Sequence, residues 1–245
     1  MVVKILNILF YCVLICLTLS CSRRASNSSY QHASGFVQSP NDNLTTPRQP
    51  RANHSSPQTV GGILSASEVF EKYNSAVFMI YTSDGYSSSQ GSGFFINSDG
   101  LAASNYHVFK GTGIGMENIK LSDGNMYKLK KVVAKSEEDD YIVFYVDIPF
   151  KCNFIPIYNR QLRIGERVFA IGSPRGLENT LSSGEISQLR GDNVIQINVP
   201  IDHGSSGGAL IDEYGKVVGI TTAGMDDSGA NLNFAIDIAV IKPYL

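Results

Sequence analysis

Short runs of β-branched and aromatic residues recur along the C-terminal three quarters of the chain: Val77 to Tyr81, Gly93 to Ile96, Lys131 to Ala134, Tyr141 to Val146, Arg167 to Ile171, Val194 to Val199 and Lys216 to Thr221. Turn-forming residues stand between them, at Ser98-Asp99-Gly100, Ser122-Asp123-Gly124-Asn125, Gly191-Asp192-Asn193 and Asp212 to Gly215. Many short strands with frequent turns and almost no helical period predict an all-β sandwich or barrel. Ser65-Ala66-Ser67-Glu68 reads as a capping box, and the apolar Val69, Phe70 and Tyr73 behind it suit one short helix. The folded domain is accordingly expected over residues 63–245.

Ahead of it the pattern changes twice. Lys4 and the apolar run from Ile5 to Leu19, followed by Ser20-Cys21-Ser22, follow the order of an export signal peptide, assigned to residues 1–20. The run is shorter than the roughly 20 apolar residues of a spanning helix. Cys21 directly follows Thr18-Leu19-Ser20, which resembles the lipobox at which bacterial lipoproteins are cut and acylated, although Thr18 stands where leucine is usual. Residues 21–62 are rich in Ser, Asn, Pro, Gln and Thr and read as a flexible tether, with His32 and His54 as solvated linker residues. The expected location is outside the cytoplasm, periplasmic or at the cell surface, with the protein lipid-anchored to a bacterial membrane.

Composition narrows the function classes. The chain has 245 residues, 43% of them hydrophobic, enough for one sizeable core. Twenty Lys and Arg against 22 Asp and Glu leave a net charge of −2, with no basic cluster of the kind that follows a phosphate backbone, so nucleic acid is set aside. Of the four cysteines, Cys12 and Cys16 fall in the signal, leaving Cys21 and Cys152 and no disulfide framework.

The densest glycine-serine cluster outside the tether is Gly204-Ser205-Ser206-Gly207-Gly208, set between two apolar runs. A flexible hairpin turn would read the same way. The chemical reading is that glycines let backbone N–H groups converge on one point where a serine hydroxyl is presented, as an oxyanion hole and its nucleophile require. The cluster also satisfies the nucleophile-elbow pattern of α/β-hydrolases, but such an enzyme needs its histidine after the serine. The four histidines, at 32, 54, 107 and 203, all precede Ser206. His203 lies three residues away in the same loop, better placed for the rim than for the hydroxyl, which leaves His107 as the candidate base. Between the two, Glu137-Glu138-Asp139-Asp140 runs into the strand Tyr141 to Val146, and because adjacent strand residues point to opposite faces, only one of Asp139 and Asp140 can turn inward.

These segments, in this order, resemble the protease domain of the HtrA/Deg branch of trypsin-like, chymotrypsin-fold serine proteases, over nearly all of 65–245. Gly91-Ser92-Gly93-Phe94-Phe95 and the turn through Gly100 resemble the strand before that family's histidine; Ser104-Asn105-Tyr106-His107-Val108 resembles its Thr-Asn-Asn-His-Val. Asp140 begins a match to its Asp-Leu-Ala-Val-Leu, Gly165 to Pro174 and Gly184 to Ser187 resemble its central strands, and Gly204 to Leu210 its Gly-Asn-Ser-Gly-Gly-Pro-Leu. Ser205, Ala209 and Tyr106 depart from the pattern.

The resemblance implies two six-stranded β-barrels with the active site in the cleft between them, and short helical segments at the N-terminal and C-terminal ends. It implies a serine endopeptidase in which His107 is base, Asp140 orients it, Ser206 is nucleophile, and the loop Gly204, Ser205 and Ser206 forms the oxyanion hole. It places the primary specificity pocket at Pro200 and Ile201, with a wall along Thr222, Ala223 and Gly224, and so favours small or medium aliphatic side chains over Lys or Arg. No metal or cofactor is implied. The expected partners are exposed or unfolded polypeptides, the membrane reached through Cys21, and further copies of the chain, as in the trimers common in the branch. With the sequence running to Leu245, the expectation is a protease domain without the PDZ domains many relatives carry. The competing readings are a protease-fold lipoprotein that binds peptides without cutting them, and an esterase.

Overall fold

A computed structural model describes residues 62–86, 88–113, 115–173, 179–222 and 232–245, all within one compact unit. The expected signal, Cys21, the tether up to residue 61, Pro174, Ala223 and Gly224 lie outside the described residues. The chain enters through helix α1 (Ala66–Tyr73), and the expected capping box is formed: the Ser65 hydroxyl accepts the Glu68 N–H while Glu68 Oε2 accepts the Ser65 N–H. Val69 and Tyr73 are its buried face, and the Tyr73 hydroxyl donates to Gly215 O at 2.7 Å.

Among the described residues thirteen strands follow: β1 (Val77–Ser83), β2 (Ser88–Phe95), β3 (Leu101–Ser104), β4 (Asn118–Lys120), β5 (Met126–Tyr127), β6 (Leu129–Ser136), β7 (Tyr141–Val146), β8 (Arg167–Gly172), β9 (Thr180–Arg190), β10 (Val194–Ile197), β11 (Ala209–Asp212), β12 (Val217–Thr222) and β13 (Asn233–Asp237). β8 to β13 form a closed six-stranded barrel in the order β10-β13-β12-β11-β8-β9. The first seven form a sheet in the order β5-β4-β1-β2-β3-β7-β6. Its outermost strands β5 and β6 are separated along the chain by Lys128 alone, so the sheet curls until its two edges are one bent stretch of backbone. The first unit is a curled half-barrel beside the closed barrel of the second, the two-barrel arrangement that was expected. A 3-10 helix, Ile238–Tyr244, ends the fold.

The strands of the first barrel nearest the second are buried on both faces. Phe78, Ile80, Phe95, Ala102, Ile142 and Phe144 fill the first barrel, with the Phe78 and Phe95 rings 4.8 Å apart and Phe109 edge-on to Phe144 at 5.4 Å. Their chain neighbours Val77, Phe94, Ala103, Tyr141 and Val143 point the other way, into a core shared with Ile171, Ala209, Leu210 and Ile220 of the second barrel. The side-chain period of two thus feeds two cores from one strand, which is why Val77 to Tyr81 and Tyr141 to Val146 read as unbroken apolar runs. The candidate site lies along this seam.

Candidate active site

His107 sits in a one-turn 3-10 helix, Tyr106–Phe109, that follows β3. Asp140 is the last residue of the tight connection between β6 and β7, where Ser136 pairs with Tyr141. It has φ +53°, in the left-handed region that aspartate tolerates better than most residues. That twist turns its carboxylate under the histidine: Oδ2 lies 2.8 Å from His107 Nδ1, and Oδ1 accepts the His107 backbone N–H at 2.9 Å. The fully buried Asn105 donates its amide to Asp140 O at 3.0 Å, holding the same residue by its main chain. The His107 side chain is 43% exposed and that of Asp140 only 13%, so the ring has one face to solvent and its orienting partner does not. Asp139, the alternative acid, is bonded instead to Ser136, through its backbone N–H and its carboxylate.

Ser206 is carried by a loop from the second barrel, between β10 and β11. Gly204 and Gly207 take φ +94° and +87°, open to glycine and strained for other residues. At Gly207 there is no room either: a Cβ would lie 2.2 Å from Ser92 O. The backbone donors of the loop fall into two groups. His203 N–H goes to Asp202 Oδ1, Ser205 N–H to Asp202 O at 3.0 Å, Gly207 N–H to Thr221 O at 2.8 Å and Gly208 N–H to Ser205 O at 3.0 Å. Gly204 N–H and Ser206 N–H have no acceptor among the described residues. These two donors on either side of Ser205 are the ones the loop leaves open to an outside acceptor. Ser205, the middle residue of the expected hole, has its N–H taken up inside the turn by Asp202 O.

The loop is fastened across the seam by two serines that the family motifs contain but to which the sequence assigns no role. Ser92 N–H donates to Ser206 O at 2.8 Å, the Ser92 hydroxyl donates to Gly204 O at 2.8 Å, and Ser92 O accepts from the Ser104 hydroxyl at 2.7 Å. Ser104 is three residues before His107, so one buried serine ties the loop of the candidate nucleophile to the strand of the candidate base. Small polar residues inside otherwise apolar strands were the signal that could have marked them. No hydrogen bond joins Ser206 to His107 among the described residues.

Of the expected pocket residues, Ile201 is half-buried against the core, Thr222 half-buried and Pro200 exposed. His203 is exposed at the rim. No group of His, Cys, Asp and Glu among the described residues could hold a metal ion.

A family model of the trypsin-like peptidase domain matches residues 91–220, more than half of the chain. The chain belongs to this family. Within the peptidase domain the similarity is to the HtrA/Deg branch. A probable periplasmic serine endoprotease, DegP-like, of Bartonella henselae is 37% identical over 164 residues, covering 62% of this chain and 32% of that protein. The chloroplastic Protease Do-like 1 of Arabidopsis thaliana is 36% identical over 163 residues, 61% of this chain and 36% of the other. The crystal structure of a serine endoprotease from Yersinia pestis superimposes with a TM-score of 0.66 at 28% identity, covering 73% of this chain and 64% of that one. The chain spans about a third of the length of these curated relatives.

Proposed function

We propose that the protein is a serine endopeptidase that cuts exposed or unfolded polypeptides by acyl transfer. The observation that carries the reading is the pairing of an oriented histidine with a serine loop that leaves two N–H groups unpaired on either side of Ser205. Ser206 Oγ attacks the peptide carbonyl carbon while its proton passes to His107 Nε2. The resulting oxyanion is received by Gly204 N–H and Ser206 N–H, and Asp140 stabilises the imidazolium. The C–N bond then breaks as His107 returns that proton to the leaving amine, giving the acyl-enzyme. Water, deprotonated by the same ring, attacks the ester carbonyl and releases the new carboxyl end and free Ser206. In serine hydrolases of this kind the serine–histidine bond commonly tightens only with substrate in place.

For specificity we place Ile201 at the pocket floor. Asp202 turns its main-chain oxygen to Ser205 N–H and its carboxylate to His203 N–H, within its own loop. With the apolar Ile201 at the floor, a cationic side chain would meet no charge there, and aliphatic side chains are the favoured occupants. The N-terminal segment supports export and, through acylated Cys21, tethering to a membrane with residues 22–62 as spacer. The periplasmic designation of the Bartonella relative agrees with export.

The test is incubation of the purified protein with unfolded casein beside Ser206→Ala. Cleavage by the wild type alone supports the proposal. Peptide binding without cleavage by either would favour the non-catalytic reading.

A further inference from the structure

Ser206 sits between two buried hydroxyls, one from each barrel. Ser92, in β2, is fully buried, and Thr221, in β12, is 1% exposed. The Ser92 hydroxyl donates to Gly204 O at 2.8 Å and accepts Ser173 N–H at 2.9 Å. The Thr221 hydroxyl donates to Ser205 O at 2.8 Å, while Thr221 O and N–H hold Gly207 N–H and Gly208 O. Two consecutive peptide carbonyls of the loop are therefore each gripped by a side chain.

The direction of those grips bears on the two free donors. Across a trans peptide the C=O and N–H point in opposite senses. A hydroxyl that holds Ser205 O towards β12 thus aims the Ser206 N–H the other way, out of the loop. The Gly204–Ser205 peptide is fixed at both ends, its carbonyl by Ser92 and its N–H by Asp202 O, which sets the plane from which the Gly204 N–H departs at φ +94°. A buried hydroxyl amid apolar strands costs free energy unless bonded, and both of these are bonded to the loop rather than to their own sheet.

We propose that the Ser92 and Thr221 hydroxyls are positioning residues that pre-set the Gly204 and Ser206 N–H groups to receive negative charge; this rests on the endopeptidase reading above. Donors fixed before the charge develops stabilise the transition state more than the bound substrate. Loss of either hydroxyl should therefore act on kcat and leave KM nearly untouched. A hydroxyl that only filled space would show no such split.

The decisive pair is Thr221→Val, which keeps the shape and removes the donor, and Thr221→Ser, which keeps the donor and removes the methyl. Ser205 O retains the Gly208 N–H in both, so the turn survives. The readouts are kcat and KM on a peptide substrate and the affinity of a peptide boronic acid of the same sequence, whose tetrahedral adduct with Ser206 puts an oxygen in the hole. Complete loss of a hole donor costs about 100- to 1,000-fold in kcat, so a misaligned one should cost about 10- to 100-fold. Thr221→Val is expected to lose that factor in both kcat and boronate affinity, with KM within about threefold, and Thr221→Ser to recover most of it. Ser92→Ala should show the same split.

Equal loss in Thr221→Ser and Thr221→Val, or a fall in kcat with unchanged boronate affinity, would overturn the proposal. A wild type that cleaves and binds boronate, with Thr221→Val indistinguishable from it, overturns this inference alone. A wild type that does neither overturns the endopeptidase reading as well.

Discussion

Asp140 holds His107 by two bonds at once, Oδ2 to the ring Nδ1 and Oδ1 to the backbone N–H of the same residue. The carboxylate therefore fixes both the position of the residue and the rotation of its ring. Asp140→Asn would keep the shape but offer an amide where the ring needs an acceptor. We expect kcat to fall by roughly 10,000-fold with little change in KM. Asp139→Asn, by contrast, should leave both within about twofold, since among the described residues the hydrogen bonds of Asp139 run to Ser136 and not to His107. Steady-state kinetics on one peptide separate the two acids.

Ser206→Ala and His107→Ala should each remove nearly all cleavage, and the double variant should be no worse than either, because nucleophile and base act as a unit. Roughly additive losses in casein digestion would show that the two residues do not work together.

Gly207→Ala forces an alanine to φ +87° with its Cβ against Ser92 O. The backbone strain alone is worth about 1–3 kcal/mol. The expected outcome is a lower melting temperature together with loss of activity, read by circular dichroism and by the casein assay.

Away from the cleft, burial pushes the Glu166 carboxyl up, but hydrogen bonds from Arg160 and Arg163 outweigh it and leave the group below its usual range. A carboxyl lowered in the folded state contributes stability above the unfolded pKa, near about 4.3, and that stability is lost as pH falls below it. Glu166→Gln should lower the melting temperature at pH 7 and flatten its decline between about pH 5 and pH 3. An unchanged slope would place the acid sensitivity elsewhere.

Mapping of cut sites by mass spectrometry should show Val, Ala or Leu on the acyl side of the cut, with modest discrimination, since one methylene is worth only about 1–3 kcal/mol. A dominant preference for Lys or Arg would point to Asp202 instead of Ile201.

How far the fold can be read from sequence depends on which faces of a strand are buried. β1 and β7 serve two cores and stand out as apolar runs. β9 is as integral to its barrel, yet Thr180 to Arg190 buries fully only Ile186 and contains Gly184, so neither alternation nor hydrophobicity marks it. The two-residue β5 and three-residue β4 are too short to carry a period. At the site, Ser206, His107 and Asp140 stand out because each belongs to a local motif, and the family resemblance chooses Asp140 over Asp139. Ser92 and Ser104 lie in such motifs as well, but their roles, like that of Thr221, are defined by partners 12 to 112 residues away and are not legible from the motif.

The way the two sheets close also bears on where a foreign strand could attach. A sheet with exposed edges is a template for any extended chain it meets. The second barrel is closed by hydrogen bonds all round, whereas the first sheet ends on β5 and β6. Inside that sheet β2 also has an unpaired length, since it pairs with β3 only through Phe94 and Phe95. At Ser92 its free side is already taken by Ser206, and two residues upstream the backbone of Gln90 faces the same way. On the endopeptidase reading, an extended substrate would find that unpaired length of β2 beside Ser206.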